Sequence, residues 1–449
     1  MNFDQIRAIH FVGIGGIGMS GIAEILADAG LLVSGCDARP STATEMLAER
    51  GIPVSIGHDP AHMKGVDLVV VTAAIRGRNE ELAEAVRLGI PVRRRAEILG
   101  EIARSKRVVG VAGTHGKTTT SAMIATVLIE AGFDPTIVVG CIIRNFGTNA
   151  RRGAGDLLVA EADEYDRSFH HLHPEIAVVT NVEADHLEYY GTFDEIAEAF
   201  HIFLEGIAPG GVVIGCADEA PVRALLDRVP GRVIRYGLGE SADVRAGGLA
   251  FAGSGSTFSV EGVGAFRLAV PGEHNVRNAL AAIAVGLQLG ILREAIAAAL
   301  AKFQGVDRRF QILGDYAGAI VIDDYAHHPT EIRATIDAAR RGYPGRRIVA
   351  LFQPHLYSRT RDLARDFAEA LSGADIALVA PVYAAREEPI AGVSARMISE
   401  ATGSIEFLDR TNGEICAEIR RRLGSDDLFI TMGAGDVNEV AQMLVGAAS

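Results

Sequence analysis

A turn that could hold phosphate groups lies between a predicted strand and a predicted helix. The apolar run Val108–Ala112 is followed by Gly113-Thr-His-Gly116-Lys117-Thr118, and Thr118–Ala131 has helical periodicity. Backbone amides of such a turn can surround phosphates, the Lys117 ammonium can neutralise them, and the Thr118 hydroxyl can reach Mg²⁺. The turn departs from the strict P-loop pattern, because Val111 stands at the first glycine position. The alternative interpretation is an ordinary turn with a surface lysine.

An earlier turn has the spacing of a dinucleotide-binding turn. Gly13-Ile-Gly15-Gly16-Ile-Gly18 follows the predicted strand Ala8–Val12 and opens a predicted helix, and Asp37 comes nineteen residues after Gly18. In this context the glycines permit a tight turn, the helix N-terminus faces a diphosphate, and the carboxylate binds a ribose hydroxyl. The pattern indicates a diphosphate without specifying NAD. The alternative is that the glycines only allow the strand and helix to pack closely.

Carboxylates and an imidazole follow two further predicted strands. Leu157–Ala160 runs into Glu161-Ala-Asp-Glu164, and Ile176–Thr180 runs into Asn181-Val-Glu-Ala-Asp-His186. Side chains just past the ends of parallel strands face the ligand crevice of the sheet. We therefore predict that Thr118, Glu161 and His186 converge on Mg²⁺, the usual partner of transferring phosphates. Taken singly, each carboxylate is better explained as a helix cap or a solvated turn residue.

Three later groups are further candidates for binding. Asn278 lies near the start of a predicted helix, where it either caps the helix or contacts the edge of an adenine. The segments from Asp323 to Pro329 and from Gln353 to Arg359 each follow a predicted strand, and Arg359 could clamp a carboxylate. Two adjacent histidines in the first segment indicate zinc only weakly, because no third ligand has metal spacing. For each of these groups a surface role is the alternative.

The elements that carry these residues alternate between short β-rich runs and amphipathic helices, which is typical of parallel α/β sheets. Fresh strand starts at Arg107 and Ala319 divide the chain into three segments. We predict an α/β fold of three domains, residues 1–105, 106–311 and 312–449. Between about Val233 and Val270 the glycine-rich, alternating sequence predicts antiparallel β structure.

Composition excludes several classes of protein. The length of 449 residues agrees with three domains at about 150 residues each. The 57 acidic and 43 basic residues give a net charge of −14, and without a basic tract we expect no nucleic-acid partner. The longest uncharged stretch, residues 8–23, is glycine-rich and shorter than the ~18 apolar residues of a membrane span. We therefore expect a cytoplasmic protein that does not contact a membrane.

Lysine and cysteine are both scarce. Only four of the 43 basic residues are lysines: Lys64, Lys106, Lys117 and Lys302. The four cysteines lie far apart without a CxxC pair or zinc-type spacing: Cys36, Cys141, Cys216 and Cys416. We expect these cysteines to be reduced and mostly buried.

Eight segments, in order along nearly the whole chain, carry a family resemblance. The chain resembles the UDP-N-acetylmuramate–L-alanine ligases of the Mur ligase family. The segments are HFVGIGGIGMSGIAE from His10, GTHGKTTT from Gly113, EADEYDRSF from Glu161, NVEADHL from Asn181, HNVRNAL from His274, DDYAHHPTE from Asp323, FQPHLYSRT from Phe352 and MGAGD from Met432.

The resemblance implies an ATP-dependent ligase of peptidoglycan precursor synthesis, on which cell shape and division depend. Such an enzyme joins L-alanine to the lactyl carboxylate of UDP-N-acetylmuramate through an acyl phosphate. A Rossmann-like N-terminal domain would bind the UDP sugar, a central P-loop ATPase-type domain would bind ATP and Mg²⁺, and a C-terminal Rossmann-like domain would bind the amino acid. We expect these small molecules to be its partners, and the protein to be a monomer or weak homodimer.

The resemblance also implies roles for individual positions. The UDP-sugar site would contain Gly13, Gly15, Gly16, Gly18 and Asp37. The ATP site would contain Gly113, Thr114, His115, Gly116, Lys117, Thr118, Thr119, Asn278 and Asp323. The metal ligands would be Thr118, Glu161 and His186, and the alanine site would contain Tyr325, His327, His355 and Arg359. The predicted catalytic residues are Lys117, His186 and Arg359.

Two features distinguish this chain within the family. Leu356 stands where many members have arginine. The ligases that add later residues look to use a carbamoylated lysine, whereas residues 107–301 here contain only Lys117, which is already assigned to phosphate. Composition therefore favours the alanine-adding branch. The base that deprotonates the alanine ammonium is not identified, with His327 and His355 as candidates.

Three other functions remain as alternatives. A recycling ligase would attach a whole tripeptide to the same UDP sugar. Residues 1–105 alone would suit an NAD-dependent dehydrogenase. A non-catalytic nucleotide-binding regulator is disfavoured, because the carboxylate, imidazole and arginine candidates all follow predicted strands.

Overall fold

The protein forms two compact units in a computed structural model that describes residues 6–72, 75, 79–385 and 387–446. The first unit contains the described residues up to Gly247, together with 260–264 and 277–302. The second contains 248–259, 265–276 and the described residues from Phe303 onward. Both units combine parallel sheets with helices, which confirms the predicted α/β class. Among the described residues, no helix is long and apolar enough to cross a membrane.

Five parallel strands begin the first unit: β1 (Ala8–Val12), β2 (Leu32–Asp37), β3 (Val54–Ile56), β4 (Leu68–Val71) and β5 (Val92–Arg94). Their helices are α1 (Ile17–Asp28), α2 (Thr42–Glu49), α3 (Glu80–Leu88) and α4 (Arg95–Ala103), with a 3₁₀ helix at Pro60–Met63. The sheet order is β3-β2-β1-β4-β5. Because the order reverses beside β1, the turn after β1 lies at the point where parallel sheets bind ligands.

The second sheet is built on β6 (Arg107–Ala112), β7 (Thr136–Ile143), β8 (Thr148–Arg151), β9 (Leu157–Glu161), β10 (Ile176–Val179), β11 (Val212–Cys216) and β12 (Arg232–Gly237). Its order is β12-β11-β10-β6-β9-β7-β8, with β8 antiparallel to β7. The helices are α5 (Lys117–Glu130), α6 (Leu187–Tyr190), α7 (Phe193–Glu205), α8 (Ala220–Leu226), α9 (Glu273–Gln288) and α10 (Arg293–Lys302), with a 3₁₀ helix at Tyr165–His171. Since β9 and β10 flank β6, residues that follow these strands lie beside the turn after β6.

The glycine-rich region contains β12 and then β13 (Val244–Ala252), β14 (Gly255–Val260) and β15 (Gly264–Leu268), which are successive neighbours. The prediction of antiparallel structure from Val233 is wrong at its start. β12 runs parallel to β11 and to the beginning of β13. Helix α8 connects β11 to β12 and lets β12 pair with β11 in the parallel direction. The alternating sequence of β12 does not reveal this direction.

One apolar core continues between the first two sheets. It includes Phe11 and Ile22 from the first sheet's layer and Leu158, Phe200 and Phe203 from the second's, all fully or nearly fully buried. Burial of such side chains contributes about 1.5–3 kcal/mol each. This shared core fixes the two glycine turns within a single unit.

Six strands form the sheet of the second unit: β16 (Gln311–Tyr316), β17 (Ala319–Asp324), β18 (Arg347–Phe352), β19 (Ile376–Val379), β20 (Glu406–Phe407) and β21 (Asp427–Met432). The helices are α11 (Pro329–Gly342), α12 (Tyr357–Leu371), α13 (Arg396–Thr402), α14 (Asn412–Arg422) and α15 (Asn438–Gly446). The order is β16-β17-β21-β18-β19-β20, with only the edge strand β16 antiparallel to its neighbour. Separate apolar clusters cover the two faces of this sheet.

Candidate functional site

The first glycine turn is closed by the end of β2. The N–H groups of Gly13 and Ile14 both donate to the Cys36 carbonyl at 2.9 Å, and the Gly15 N–H donates to Asp37 Oδ2 at 2.9 Å. A Cβ added to Gly15 would lie 2.9 Å from the same carboxylate oxygen, so a larger residue at this position would have to displace the Asp37 side chain. Gly15 and Asp37, which were both predicted to belong to the UDP-sugar site, are therefore in contact, and the carboxylate fixes the turn.

A cavity of 350 Å³ opens at the N-terminus of α1. Its lining includes Gly16, Gly18, Arg95, Gly140 and Glu161. The N-cap residue of α1, Gly16, provides no side-chain cap, and a helix N-terminus of this kind with a nearby guanidinium suits an anion. The same cavity thus joins the first glycine turn to a residue of the predicted metal site.

The second glycine turn is held by the residues that follow β10. The Thr114 and His115 N–H groups donate to the backbone and side-chain oxygens of Asn181, at 3.1 and 2.8 Å. Thr180 Oγ1 donates to the His115 carbonyl at 2.6 Å. A Cβ on Gly113 would lie 1.9 Å from Thr180 Oγ1, so no larger residue fits.

Asn278 packs against this turn from α9. Gly116 has a φ of +79°, and a Cβ there would lie 2.7 Å from Asn278 Oδ1. The same oxygen accepts a hydrogen bond from Thr120 Oγ1 at 3.1 Å. Because α9 begins at Glu273, Asn278 lies inside the helix, and its interpretation as a helix cap is wrong.

Lys117 points back into its own turn. Its Nζ donates to the Gly113 carbonyl at 2.5 Å and to both carboxylate oxygens of Glu164, at 2.9 and 2.7 Å. Burial acts to lower the pKa of Lys117, but the carboxylates of Glu164, Asp163 and Glu161 outweigh it and hold the pKa above its ordinary value. The residue is therefore a fixed ammonium at the turn.

Two of the three predicted metal ligands, Thr118 and Glu161, are in direct contact. Thr118 Oγ1 donates to Glu161 Oε1 at 2.9 Å, and the Gly140 N–H donates to Glu161 Oε2 at 2.6 Å. Hydroxyl and carboxylate oxygens are the ligands that Mg²⁺ prefers, so this pair fits the ion. His186, the third predicted ligand, is held by other residues. The centroid of its ring lies 5.1 Å from that of Tyr165, and its backbone N–H donates to Asp185 Oδ1 at 2.8 Å.

In the second unit, Asp323 is enclosed by protein groups. Its Oδ2 accepts from Arg308 Nε at 3.1 Å and its Oδ1 accepts from Thr431 Oγ1 at 2.9 Å. Burial raises the pKa of Asp323, and Arg308 and Thr431 partly oppose this shift. Asp323 thus fixes Arg308, whose guanidinium also lies 4.9 Å from the centre of the Tyr325 ring.

Three predicted alanine-site residues lie in a row of rings. The centroids of Tyr325 and His327 are 5.3 Å apart, those of His327 and His355 are 6.1 Å apart, and His355 stacks on Tyr383 at 6.0 Å. The His327 N–H donates to Glu331 Oε2 at 3.0 Å. The ends of β17 and β18 therefore bring these side chains together.

Arg359 lies in the first turn of α12 and is 9% exposed. The helix begins after Leu356, which has a φ of +70°. The Leu356 N–H donates to the Tyr383 carbonyl at 3.0 Å, and its own carbonyl accepts from Thr360 Oγ1 at 2.7 Å. His355 lies just before this helix start and Arg359 just after it, so the hydrogen bonds of Leu356 fix the positions of both residues.

Comparison with known proteins gives one consistent result. Residues 8–107 match the family model described as Mur ligase family, catalytic domain; residues 111–286 match the Mur ligase middle domain; and residues 308–435 match the Mur ligase, glutamate ligase domain. The chain is 48% identical to a UDP-N-acetylmuramate–L-alanine ligase of Sorangium cellulosum, covering 97% of this chain and 95% of that protein. The chain belongs to the Mur ligase family.

Other relatives of this Mur ligase agree. A UDP-N-acetylmuramate–L-alanine ligase of Pelobacter propionicus is 45% identical, covering 99% and 98% of the two chains. The solved UDP-N-acetylmuramate–alanine ligase of Thermotoga maritima has a TM-score of 0.84 at 30% identity and covers 99% of both chains. A murein peptide ligase of Psychrobacter arcticus has a TM-score of 0.73 at 28% identity over 98% of both chains.

Within each unit of this Mur ligase, the structure brings residues without a predicted role next to predicted site residues: Arg95, Glu164 and Asn181 in the first unit and Tyr383 in the second. Glu164 and Asn181 stand in the polar segments that follow β9 and β10, so the strand-end rule could have found them. Arg95 and Tyr383 carry no local signal, because only the folded chain brings them to the cavity and to the row of rings.

Proposed function

We propose that this protein uses ATP to join L-alanine to UDP-N-acetylmuramate in peptidoglycan precursor synthesis. One observation carries the ligase proposal: a single cavity is lined by the first glycine turn and by Glu161 beside Thr118. A UDP sugar on that turn would have its reacting end directed toward the nucleotide turn. The choice of L-alanine rests on full-length relatives with that activity, which are 44–48% identical.

The chemistry explains why two nucleotide-type turns are needed. A carboxylate does not react with an amine at neutral pH, because it offers no leaving group. Transfer of the ATP γ-phosphoryl group to the lactyl carboxylate gives an acyl phosphate and ADP. The alanine amine then attacks the carbonyl, phosphate leaves, and an amide forms. Positioning and charge stabilisation supply most of the catalysis in such transfers.

Each turn has a proposed task. Gly13, Gly15, Gly16 and Gly18 hold the UDP diphosphate with Asp37 fixing the loop, and Arg95 adds a positive charge to the cavity. Gly113 to Thr119 bind the ATP phosphates, with Lys117 as their cation and Asn278 beside the turn. Arg359 binds the alanine carboxylate, next to Tyr325, His327 and His355.

Mg²⁺ would be held by Thr118 and Glu161, with His186 as a further ligand. The ion would screen the phosphate charges that Lys117 cannot neutralise alone. The residues around it orient these ligands, since the Gly140 N–H fixes one oxygen of Glu161. Asp323 would contact the ATP ribose.

We further propose domain boundaries near residues 105 and 311, a monomer or weak homodimer, and a cytoplasmic location, where ATP and UDP sugars are made. The net charge of −14 argues against a nucleic-acid partner.

The test is a coupled assay of phosphate release with UDP-N-acetylmuramate, ATP and Mg²⁺ and a panel of amino acids. We expect turnover with L-alanine and none without the UDP sugar. Turnover with the tripeptide and not with L-alanine would assign the recycling activity instead. Nicotinamide binding without ATP hydrolysis would contradict both ligase assignments.

A further inference from the structure

Five side chains with metal-binding atoms lie together on one face of the first sheet. His10 comes from β1, Cys36 from β2, His62 from the 3₁₀ helix, Glu81 from α3, and His58 from the segment between β3 and the 3₁₀ helix. Ligand atoms of His10, Cys36, His62 and Glu81 all lie within 4.8 Å of one another. None of these residues has a task in the ligase reaction proposed above.

Glu81 is the centre of the cluster. Its carboxylate is fully buried, and its oxygens lie 2.6 Å from His62 Nδ1, 2.7 Å from His58 Nδ1 and 3.0 Å from Cys36 Sγ. Burial of a carboxylate is costly unless charge and hydrogen bonds compensate it. Protons on the surrounding imidazole rings and on the thiol can provide this compensation. Hydrogen bonding alone is therefore the simpler explanation of the cluster, and a metal site is favoured only by an observation that hydrogen bonding does not explain.

His10 is the residue that hydrogen bonding does not satisfy. Its Nδ1 lies 2.9 Å from Ser34 Oγ, while its buried Nε2 has no hydrogen-bond partner within the described part of the chain. That Nε2 is directed at the cluster and lies 3.7 Å from Glu81 Oε1. A ring with one nitrogen oriented by a neighbour and the other facing a group of ligands is the usual arrangement of a metal-binding histidine.

The donor set favours a particular class of ion. Two imidazole nitrogens, one thiolate and one carboxylate are four ligands of the kinds that bind zinc, and four protein ligands are the number found in structural zinc sites. The two negative charges of Cys36 and Glu81 would balance a divalent cation, which leaves the buried site neutral. Zinc bonds of about 2.0–2.3 Å separate tetrahedral ligand atoms by about 3.4–3.7 Å, so Glu81 and His62 need to move apart by about 1 Å.

We propose that His10, Cys36, His62 and Glu81 form a structural site for a zinc-type divalent cation. His58 is the residue at the solvent side of this site, with a side chain that is 34% exposed. The four ligands fill a tetrahedron and leave no open position, so the site is structural rather than catalytic. The site connects β1 and β2 to the 3₁₀ helix and α3. The backbone carbonyl of Cys36 also accepts the hydrogen bonds from Gly13 and Ile14 that close the first glycine turn.

The experiment uses the full-length protein after treatment with a chelator. Zn²⁺ is titrated against a chromophoric chelator with Mg²⁺ in excess, and Co²⁺ is added separately to record its absorption spectrum. We expect one equivalent of tight Zn²⁺ binding, an increase in the thermal midpoint, and a thiolate-to-cobalt charge-transfer band. Cys36→Ser should weaken Zn²⁺ binding at least about tenfold and remove the band.

Cys416→Ser is the matched control, because Cys416 is a buried cysteine of the second unit. It should bind both ions like the unmodified protein. His62→Gln, at a partly exposed ligand, gives a second test if Cys36→Ser does not fold. The proposal is overturned if the unmodified protein does not bind Zn²⁺, or if it binds Zn²⁺ with the same affinity as both ligand variants.

Discussion

Lys117 is the residue on which the charge of the nucleotide turn depends. Its side chain is 13% exposed, and Glu164, which faces it, is 4% exposed. An ammonium buried this far from water keeps its charge only through partners of opposite charge. The lysine is thus held charged and directed at its own turn before any phosphate arrives.

Replacement of Lys117 by alanine should abolish ATP-dependent product formation. We expect kcat/KM to fall at least about a hundredfold, since a cation on the transferring phosphate is lost, while UDP-sugar binding is unchanged. Phosphate release and UDP-sugar titration measure the two effects. Lys302→Ala is the control, because Lys302 pairs with Glu130 in an exposed position. Near-normal turnover by Lys117→Ala would refute the assignment of the turn.

Asp324 should make stability depend on pH. Burial raises the pKa of Asp324 from 3.8 to about 6, although the N–H groups of Phe310 and Ala326 oppose the shift. Between pH 3.8 and about 6, Asp324 keeps its proton in the folded protein but has lost it in the unfolded chain. The contribution of Asp324 to the free energy of unfolding is therefore fully present below about pH 4 and is lost as the pH rises through about 6. The difference corresponds to about 3 kcal/mol.

Thermal midpoints of the full chain, measured from about pH 4 to about pH 7, should therefore change less with pH in Asp324→Asn than in the unmodified protein. Asp375→Asn provides a control of opposite sign. Burial acts to raise the pKa of Asp375, but Arg340 and the Ile348 N–H outweigh it and lower the pKa. The contribution of Asp375 to the free energy of unfolding is consequently lost as the pH falls. Parallel curves for Asp324→Asn and the unmodified protein would contradict the prediction.

At the scale of elements, the start of α12 holds a leucine in a backbone conformation that favours glycine. Leu356 has a φ of +70°, and its N–H and carbonyl are fixed by Tyr383 and Thr360. Such strain costs about 1–3 kcal/mol and persists only where the surroundings impose it. Since this helix start separates His355 from Arg359, the strain is associated with the proposed alanine site.

Two variants of Leu356 should separate backbone strain from side-chain burial. Leu356→Ala and Leu356→Gly lose the same packing, but only glycine relieves the positive φ. We expect Leu356→Gly to be the more stable variant by about 1 kcal/mol in urea unfolding. At Leu363, inside α12, the order of the alanine and glycine variants should be reversed. A more stable Leu356→Ala would show that the backbone is not strained.

Sequence patterns predicted those contacts that follow from strand order. Thr118 and Glu161 meet because β6 and β9 are neighbouring parallel strands: Glu161 ends β9, and Thr118 lies just after the turn that follows β6. The strand ends place Glu164 and Asp37 near the two turns, but they do not predict that Glu164 pairs with Lys117 or that Asp37 accepts from Gly15, because the folded turns decide which oxygen each donor reaches. Periodicity likewise located the helices but not the parallel direction of β12.

The cluster around Glu81 was also not predicted from the sequence, because its residues lie far apart along the chain. Its four proposed ligands are spread from residue 10 to residue 81, and only the pair His58 and His62 has a spacing that is common among metal ligands. Only the stacking of α3 and the 3₁₀ helix on β1 and β2 brings them together. A search by spacing finds sites within one element, whereas this cluster is assembled from four.

At the scale of the whole molecule, lysine content limits the chemistry of the central segment. Residues 107–301 contain Lys117 alone, and its Nζ already contacts Glu164 and the Gly113 carbonyl. Carbamoylation requires a neutral amine, and the raised pKa of Lys117 keeps it protonated. Turnover should therefore be the same in CO₂-depleted buffer and with added bicarbonate. A rate that falls on CO₂ depletion and returns with bicarbonate would contradict this expectation.

The pairing of Lys117 with Glu164 also has an energetic consequence for nucleotide affinity. Phosphate oxygens that approach Lys117 would compete with the hydrogen bonds that its Nζ already donates to Glu164 and to the carbonyls of Gly113 and Thr114. The pair between Lys117 and Glu164 would therefore oppose the proposed binding of both ATP and ADP, since a phosphate gains only the difference between its own ion pair with the lysine and the one it replaces.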